Sequence, residues 1–438
     1  MIELIPQDVS FINVYFTDLQ GKLLSVTYVK DFFISSYDNL TFDGSSVSGF
    51  SKQEQSDLRL EIDQKTLKRL PEELFGEGFV MFFANVKDQN GNQYSRDFRG
   101  LLEKFVNDTK ESDKISFCIA PEIEGFLFDG IDAELSYKSN NGFSFITNGG
   151  YFSSLPNTVL MDYLLTVVRI LQGLGFEIEK YHQEVANSQF EINYRYSDPV
   201  DACDKIQIYK LICRAVANSM GLTACFLPKP IDGINGSGMH LNISIAKEGS
   251  NLFYSKDIGN FGRLSKMAES FAYSICDHAP ALCAIWNSSI NAYRRLDPKY
   301  EAPVNIKISN TDRSSMIRIP LASEKATRIE IRSVAPDCNP YLCLFTTLSV
   351  ANFNTIDQLK NINTKLPKTL SEALKCLKNN ETVVKAIGKE ASEAYCDIKS
   401  GEEIVGIIDE IVFHHEIRCQ NTKSGYAKTT VLTPSKWD

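Results

Sequence analysis

The chain has 438 residues, 43% hydrophobic and 23% charged, with a net charge of −9. That is the composition of a globular protein with two or three domains, and the acidic balance argues against general affinity for nucleic acid or anionic membranes. No apolar run reaches the ~18 residues of a membrane span.

Eleven cysteines form an odd set with no Cys-x-x-Cys pair, which reads as reduced thiols in a cytoplasmic protein. The start, Met1-Ile2-Glu3-Leu4, lacks the basic residues and apolar run of a signal peptide, in keeping with that expectation. In chain order, Phe11–Asp18 and Leu23–Tyr28 read as a hairpin around Leu19-Gln20-Gly21-Lys22. Residues 41–57 are polar and rich in Gly and Ser, and 78–86 form another strand. A helix beginning near Asp97 leads into a second domain, so the first domain is expected over 1–100 and the second over 101–438. Beyond it, helices are expected at 157–174, 205–220, 260–284 and 339–352, where apolar residues recur at three and four. Strands are expected at 115–128, 176–182, 189–196, 239–245, 302–307 and 328–333, and the tail 368–415 reads as helical and charged. No repeat or low-complexity segment is visible. The fold class is α+β: a small β-rich N-terminal domain, then a large domain on a mostly antiparallel sheet.

The strands of the second domain carry residues that strands rarely bury. Glu122 and Glu124 are two apart and share a face, as do Arg328, Glu330 and Arg332. Glu184 and Glu191 bracket a short polar segment, and His240 opens a strand. Buried carboxylates are costly unless paired or bound to a cation. One such pair is readily an ion pair; five Glu with one His point to divalent metal ions. Oxygen-rich ligands without cysteine favour Mg²⁺ or Mn²⁺ over zinc. Arg294, Arg295, Arg313 and Arg318 add cationic forks suited to carboxylate or phosphate. Any one arginine alone reads as a solvated surface residue. Metals beside arginines are what phosphoryl transfer needs. No P-loop is present, and Gly233-Ile234-Asn235-Gly236-Ser237-Gly238 runs into a strand, the wrong context for a dinucleotide fingerprint. It reads instead as a turn whose backbone approaches a small ligand.

Taken together the motifs resemble those of glutamine synthetase of the bacterial class I type, over residues ~10 to 395. The resemblance rests on Phe42-Asp43-Gly44-Ser45-Ser46 with Ser56-Asp57, Pro121-Glu122-Ile123-Glu124, His182-Gln183-Glu184-Val185-Ala186 with Gln189-Phe190-Glu191, Lys229-Pro230 through Met239-His240, Arg295-Leu296 to Pro303, and Arg328-Ile329-Glu330-Ile331-Arg332. It implies a β-grasp-like N-terminal domain and a catalytic domain with a curved, mostly antiparallel sheet flanked by helices. Glu124, Glu184 and Glu191 would hold one metal, and Glu122, His240 and Glu330 a second. Glutamate would be bound by Arg295 and Arg332, with Asn235 and Gly236 at its α-amino end. ATP would lie against Glu179, Tyr196, Asn242, Ser244, Lys325 and Arg328, with Arg313 and Arg318 on its phosphates. An ammonium pocket would comprise Asp43, Ser46, Tyr151, Glu184 and Glu301, with Asp43 as base, supplied by a neighbouring subunit, and Glu301 on a flap. The implied reaction is ATP-dependent ligation of ammonia to glutamate through γ-glutamyl phosphate, in a homo-oligomer built as a hexameric ring or two stacked rings.

Some positions depart from the family pattern. Ala120 and Gly125 replace a Gly and an aromatic, Gln183 stands where a second His is usual, and Asn242 replaces a frequent His. The chain is short between Ile356 and Pro367, which removes the stretch that is adenylylated in some relatives, and the polar tail past His414-His415 departs from the ring-clasping tail. A γ-glutamyl ligase using an amine or polyamine is the alternative activity, and a retired enzyme of this fold the alternative class.

Overall fold

The computed structural model describes residues 5–140, 142–154, 158–351 and 364–408. The tail beyond His414 and most of the shortened segment before Pro367 lie outside the described residues, as do the outermost positions expected for the helices at 157 and 352.

The first sheet contains β1 (Phe11–Thr17), β2 (Leu23–Val29), β3 (Leu40–Asp43), β4 (Asp57–Arg69) and β5 (Phe79–Lys87), in spatial order β2-β1-β5-β4-β3. β1 and β5 run parallel at its centre and the other pairs are antiparallel. The sequence reading missed β4 for a physical reason. Asp57–Arg69 is densely charged, and its pairing with β5 slips between Asp63 and Lys68, so the two-residue period breaks midway.

The second sheet contains β6 (Ile115–Asp129), β7 (Ile178–Gln183), β8 (Gln189–Tyr194), β9 (Leu222–Cys225), β10 (Met239–Lys247), β11 (Ser250–Asn251), β14 (Asn305–Ser309), β15 (Ser315–Arg318) and β16 (Ile329–Ile331); a separate hairpin joins β12 (Tyr254–Gly259) to β13 (Gly262–Leu264). The main order is β14-β15-β16-β10-β6-β8-β7, with β9 beside β6 and β11 beside β10, and only β14–β15 is parallel. The expected helix at 260–284 therefore starts late: Ser265 caps a helix over Lys266–Trp286, its hydroxyl accepting from the Ala268 N–H. The helix expected from 205 starts early, at Pro199, behind the Asp198 cap. No helix among the described residues is long and apolar enough to cross a membrane.

The two sheets are locked together by buried polar contacts. The tip between β1 and β2 is sunk against the second domain: Asn339 donates to the Asp18 and Leu19 carbonyls at 3.1 and 3.2 Å, and Gln207 donates to the Gly21 carbonyl at 3.0 Å. Gly21 has a φ of +95°, and a Cβ there would lie 2.5 Å from the Asn339 Cα, so only glycine fits. Burial pushes the Asp18 carboxyl up to about 6, even though the backbone N–H groups of Lys22 and Gln20 bond it.

Arg99, 1% exposed, lies in the first turn of the helix Phe98–Asp113 and bonds Asp204 at 2.7 and 2.9 Å, Asp63 of β4 at 2.8 Å and the Asn85 side-chain Oδ1 of β5 at 2.7 Å. Tyr341 donates to the same Asp204 at 2.6 Å. One guanidinium thus ties the first sheet to two helices of the second domain. Removing it strands Asp204 without its counter-charge, so Arg99→Met is expected to cost about 3–5 kcal/mol, read as a lower urea midpoint at unchanged slope; a loss below about 1 kcal/mol would show that the network is dispensable.

Candidate active site

The site is built on β6. Its odd residues, Ile115, Phe117, Ile119 and Ile123, are buried in the core, while Cys118, Ala120, Glu122 and Glu124 occupy the less buried face. Residues opposite one another in a ladder share a face. The register puts His240 opposite Glu122 and Asn242 opposite Ala120; Asn242 is opposite Glu330, and Glu330 opposite Arg318. On the other flank Glu124 is opposite Glu191, and Glu191 opposite His182. Arg318, Glu330, Asn242, His240, Glu122, Glu124, Glu191 and His182 therefore line one face of five adjoining strands and β7.

Two groups of side chains able to hold a metal ion converge there. Glu122, His240 and Glu330 each offer a ligand atom within 4.8 Å of the others, and so do His182, Glu184 and Glu191. In the first group His240 Nδ1 is 3.5 Å from Glu122 and 3.7 Å from Glu330. Arg318 bonds Glu330 at 2.7 Å, Arg332 bonds its other oxygen, and Asn242 donates to Glu122 at 3.1 Å. Burial pushes the Glu122 carboxyl up, but the hydrogen bond and charge of His240 outweigh it and hold the carboxyl at about 2.

The second group has no such compensation. Burial first, and then the charge of Glu124, push the Glu184 carboxyl up to about 7, and the same causes raise Glu191 well above the carboxylate range. Glu124, expected beside Glu184 and Glu191, sits opposite Glu191 but turns one oxygen to the Gly238 N–H at 2.7 Å. His182, with Nδ1 3.4 Å from Glu184, completes the close group instead. Sequence reasoning assigned it no role, yet the signal was present: His182 lies two residues before Glu184, the same spacing that singled out Glu122 and Glu124.

The cationic residues fall into two sets. Arg295 is 3% exposed and spends its fork on the carbonyls of Arg332, Ser333 and Val334, at 2.8, 3.2 and 3.2 Å. Burial pulls its pKa down to about 10 against the raising charge of Glu124. The glycine-rich loop is what lets it pass: a Cβ on Gly238 would lie 2.5 Å from Arg295 Nη2 and 2.9 Å from His240 Nε2, and one on Gly236 would strike the Pro228 carbonyl. Arg332 donates to the Arg313 carbonyl at 2.8 Å, while the Arg313 side chain is exposed. Arg328 donates to Asn242 at 2.8 Å, so Asn242 bridges Glu122 and Arg328. Ser244 follows on the same face of β10, opposite Cys118, and Lys325 lies exposed in the short turn Glu324–Ala326 before Arg328.

The remaining expected residues are distributed unevenly. Tyr151 stacks on Phe152 and meets the His182 ring edge-on at 5.8 Å; burial and the charge of Glu184 raise its pKa, with Glu191 and Glu301 adding to it. Glu301 caps a turn at φ +61°, close enough for its charge to raise Glu184. The Gly236 carbonyl accepts from Gln189 at 3.0 Å, which ties the loop carrying Asn235 to β8. Glu179 is exposed on β7, and Tyr196 is half exposed beneath the Arg195 guanidinium. Asp43 and Ser46 are not joined to this group. The Asp43 carboxylate accepts from the backbone N–H and hydroxyl of Ser45, at 2.9 and 2.6 Å, and from the Ser46 hydroxyl, at 2.7 Å; bonds from these two serines lower its carboxyl.

The donor sets fit hard divalent cations: carboxylates and one imidazole each, no thiolate, and a cluster whose like charges only a cation or protons can neutralise. The sign of the pH dependence follows. Glu184 and Glu191 have pKa values above those of an unfolded chain (~4.3), so the folded state binds more protons; their contribution is full below about pH 4.3, and that of Glu184 is lost as pH rises through about 7. The cation-free protein is therefore expected to melt lower at about pH 8 than at about pH 5.5, with millimolar Mg²⁺ or Mn²⁺ raising the midpoint far more at the higher pH. Thermal melts decide this; equal cation effects at both pH values would contradict it.

Comparison with known proteins identifies the family. The family models for the β-grasp domain and the catalytic domain of glutamine synthetase match residues 8–89 and 95–358. The chain is 34% identical to the glutamine synthetase of Halobacterium salinarum over 423 residues, 90% of each chain. It is 34% identical to that of Staphylococcus aureus over 417 residues, 90% of this chain and 92% of the other. Among solved structures, the Plasmodium falciparum glutamine synthetase has the same fold at TM-score 0.80 and 24% identity, covering 92% of this chain and 95% of its own; an ADP complex of GmaS gives 0.77 at 23% identity, with the same coverage. A sheet face lined by two acidic groups, the matched domains and this similarity over nine-tenths of the chain lead to one conclusion: the protein belongs to the glutamine synthetase family of ligases.

Proposed function

We propose that this protein ligates ammonia to the γ-carboxylate of L-glutamate with cleavage of ATP to ADP and phosphate. The observation that carries the reading is the pair of acidic groups on either side of β6, one flanked by arginines and the other with uncompensated carboxylates. Such a site holds a polyphosphate at one end and a cationic nitrogen source at the other.

Glu122, His240 and Glu330 would hold one divalent ion, and Glu124, Glu184 and Glu191 a second, with His182 beside it. When bound, these ions neutralise phosphate oxygens and the acidic face. The chain supplies the rest. Arg332 and Arg295 orient the glutamate carboxylates, with Asn235 and Gly236 at the α-amino end. Glu179, Tyr196, Asn242, Ser244, Lys325 and Arg328 seat the nucleotide, and Arg313 and Arg318 face its phosphates. A γ-carboxylate oxygen bonds to the γ-phosphorus as the bond to the ADP oxygen breaks. Nitrogen then bonds to the acyl carbon as the carbon–oxygen bond to phosphate breaks. Ammonium has to lose a proton first. Asp43, kept ionised by Ser45 and Ser46, draws it in and accepts that proton, with Ser46, Tyr151 and Glu184 lining the pocket and Glu301 shutting out water. That the Asp43 carboxylate bonds Ser45 and Ser46 of its own loop rather than the acidic groups supports its delivery by a neighbouring copy, in a hexameric ring or two stacked rings. The described cysteines are free, most of them buried, which supports a cytoplasmic setting. The small domain up to residue 100 would carry the ammonium loop, and the remainder the catalytic sheet.

ADP release by the purified protein with glutamate and Mg²⁺ or Mn²⁺, across ammonium, methylamine and polyamines, tests the acceptor. Ammonium should stimulate most and yield glutamine; stimulation by amines alone would make the protein a γ-glutamyl ligase of a different nitrogen source. Glu330→Ala should lower ATP turnover by at least about 100-fold, and near-normal turnover would remove it from the site. Asp43→Ala should spare acyl phosphate formation, trapped with hydroxylamine, while depressing amide formation; equal loss of both steps would deny it the proton-accepting role.

A further inference from the structure

We propose that Lys229 and Tyr300 form a latch joining the glycine-rich loop to the turn that carries Glu301. The two segments are far apart in sequence and would otherwise be separate covers on the site. Lys229 is 3% exposed. Its backbone is fixed on both sides by Asn291, which accepts from the Lys229 N–H at 2.7 Å and donates to its carbonyl at 2.9 Å. From this anchored base the ammonium donates to the Ile234 carbonyl, immediately before Asn235 and Gly236. The same nitrogen lies 3.8 Å from the centroid of the Tyr300 ring, well inside the range of a cation–π contact. Asp232 and Asp297 add favourable charge around it, against the burial that lowers its pKa.

Tyr300 ends the short turn Pro298–Tyr300, and the next residue, Glu301, stands in the left-handed region at φ +61°. A glutamate in that conformation is strained and persists only where its neighbours hold it. On one side the turn is held by Asp297, whose carbonyl accepts from the Tyr300 N–H at 3.0 Å and from the Ala302 N–H at 3.4 Å. On the other it is held by the Tyr300 ring on Lys229. The glycine-rich loop has its own tie to the acidic face, through Gln189 on the Gly236 carbonyl at 3.0 Å. One buried ammonium therefore fixes the turn that presents Glu301 relative to the loop proposed to receive the amino acid. These are positioning residues; neither faces the acidic groups directly.

This deepens the proposed reaction and rests on it in one respect, the water-excluding role of Glu301. A loosened turn admits water to the acyl phosphate. Water oxygen then bonds to the acyl carbon, the carbon–oxygen bond to phosphate breaks, a proton passes to solvent, and glutamate and phosphate return with ADP formed but no amide.

The test compares Tyr300→Leu, which keeps bulk and loses the ring, with Tyr300→Phe, which keeps the ring face. Hydrogen–deuterium exchange on the substrate-free full-length protein reads the latch without reference to activity. Exchange at the amides of 299–302 should rise about 2- to 30-fold in Tyr300→Leu and stay at the wild-type level in Tyr300→Phe. Lys229→Met should reproduce the rise, and combining it with Tyr300→Leu should add little. In turnover, phosphate released per amide formed should increase in Tyr300→Leu and not in Tyr300→Phe. Equal exchange in the Leu and Phe variants would overturn the latch; faster exchange with an unchanged phosphate-to-amide ratio would overturn its coupling to water exclusion. A wild-type protein that releases no ADP with any nitrogen source would instead defeat the proposed reaction, and the exchange data would still judge the latch.

Discussion

Like charges crowded onto one face of a sheet are the constraint around which this molecule is organised. Glu122, Glu124, Glu184, Glu191 and Glu330 are too close to be ionised together without help. The protein solves the problem at one end and leaves it open at the other. Beside Glu330 it places Arg318 and Arg332, and beside Glu122 an imidazole, which holds that carboxyl low, and the Asn242 amide. Around Glu184 and Glu191 it places other carboxylates, so that end holds protons until something positive replaces them. The asymmetry divides the face into a part with its charge largely compensated and a part whose carboxylates are left uncompensated.

Holding such a face open requires support from behind. The carbonyls of Arg332, Ser333 and Val334 receive the buried Arg295 fork, and the segment continues to Asn339, which grips the tip of the first sheet. Arg99 performs a parallel task on the other side of the small sheet, reaching β4 and β5 from the first helix of the second domain. Arg332, which bonds Glu330, and Asn339, which docks the small sheet, thus belong to one stretch of chain. Side chains here are fixed by backbone groups, which cannot change rotamer.

Much of this was legible in the sequence because it depends on local period. Alternation alone put Glu122 with Glu124 on the open face of β6, and the alternating burial of Ile115 to Glu124 agrees. Across-strand relations were not legible without the family pattern, since nothing local sets Glu330 beside Arg318 or Glu191 beside His182; those follow from register. β4 escaped notice because a slip at Asp63–Lys68 destroys the period on which strand recognition depends. Residues 260–264, the second half of a hairpin, were absorbed into a helix because their apolar residues run on into a true helical pattern, although Ser265 marks the boundary. The Lys229–Tyr300 contact and the carbonyl ligands of Arg295 were beyond sequence reasoning altogether, being long-range and partly made to backbone.

Gly21, at the tip of the first hairpin, carries a consequence for the placement of Asp43. Because its backbone lies directly against Asn339, the small sheet is braced at this tip against its own large domain. β3, which ends in Asp43, lies at the edge of that sheet opposite β2. The placement of the loop that carries Asp43 is consequently tied, within the chain, to a partly buried glycine across the sheet.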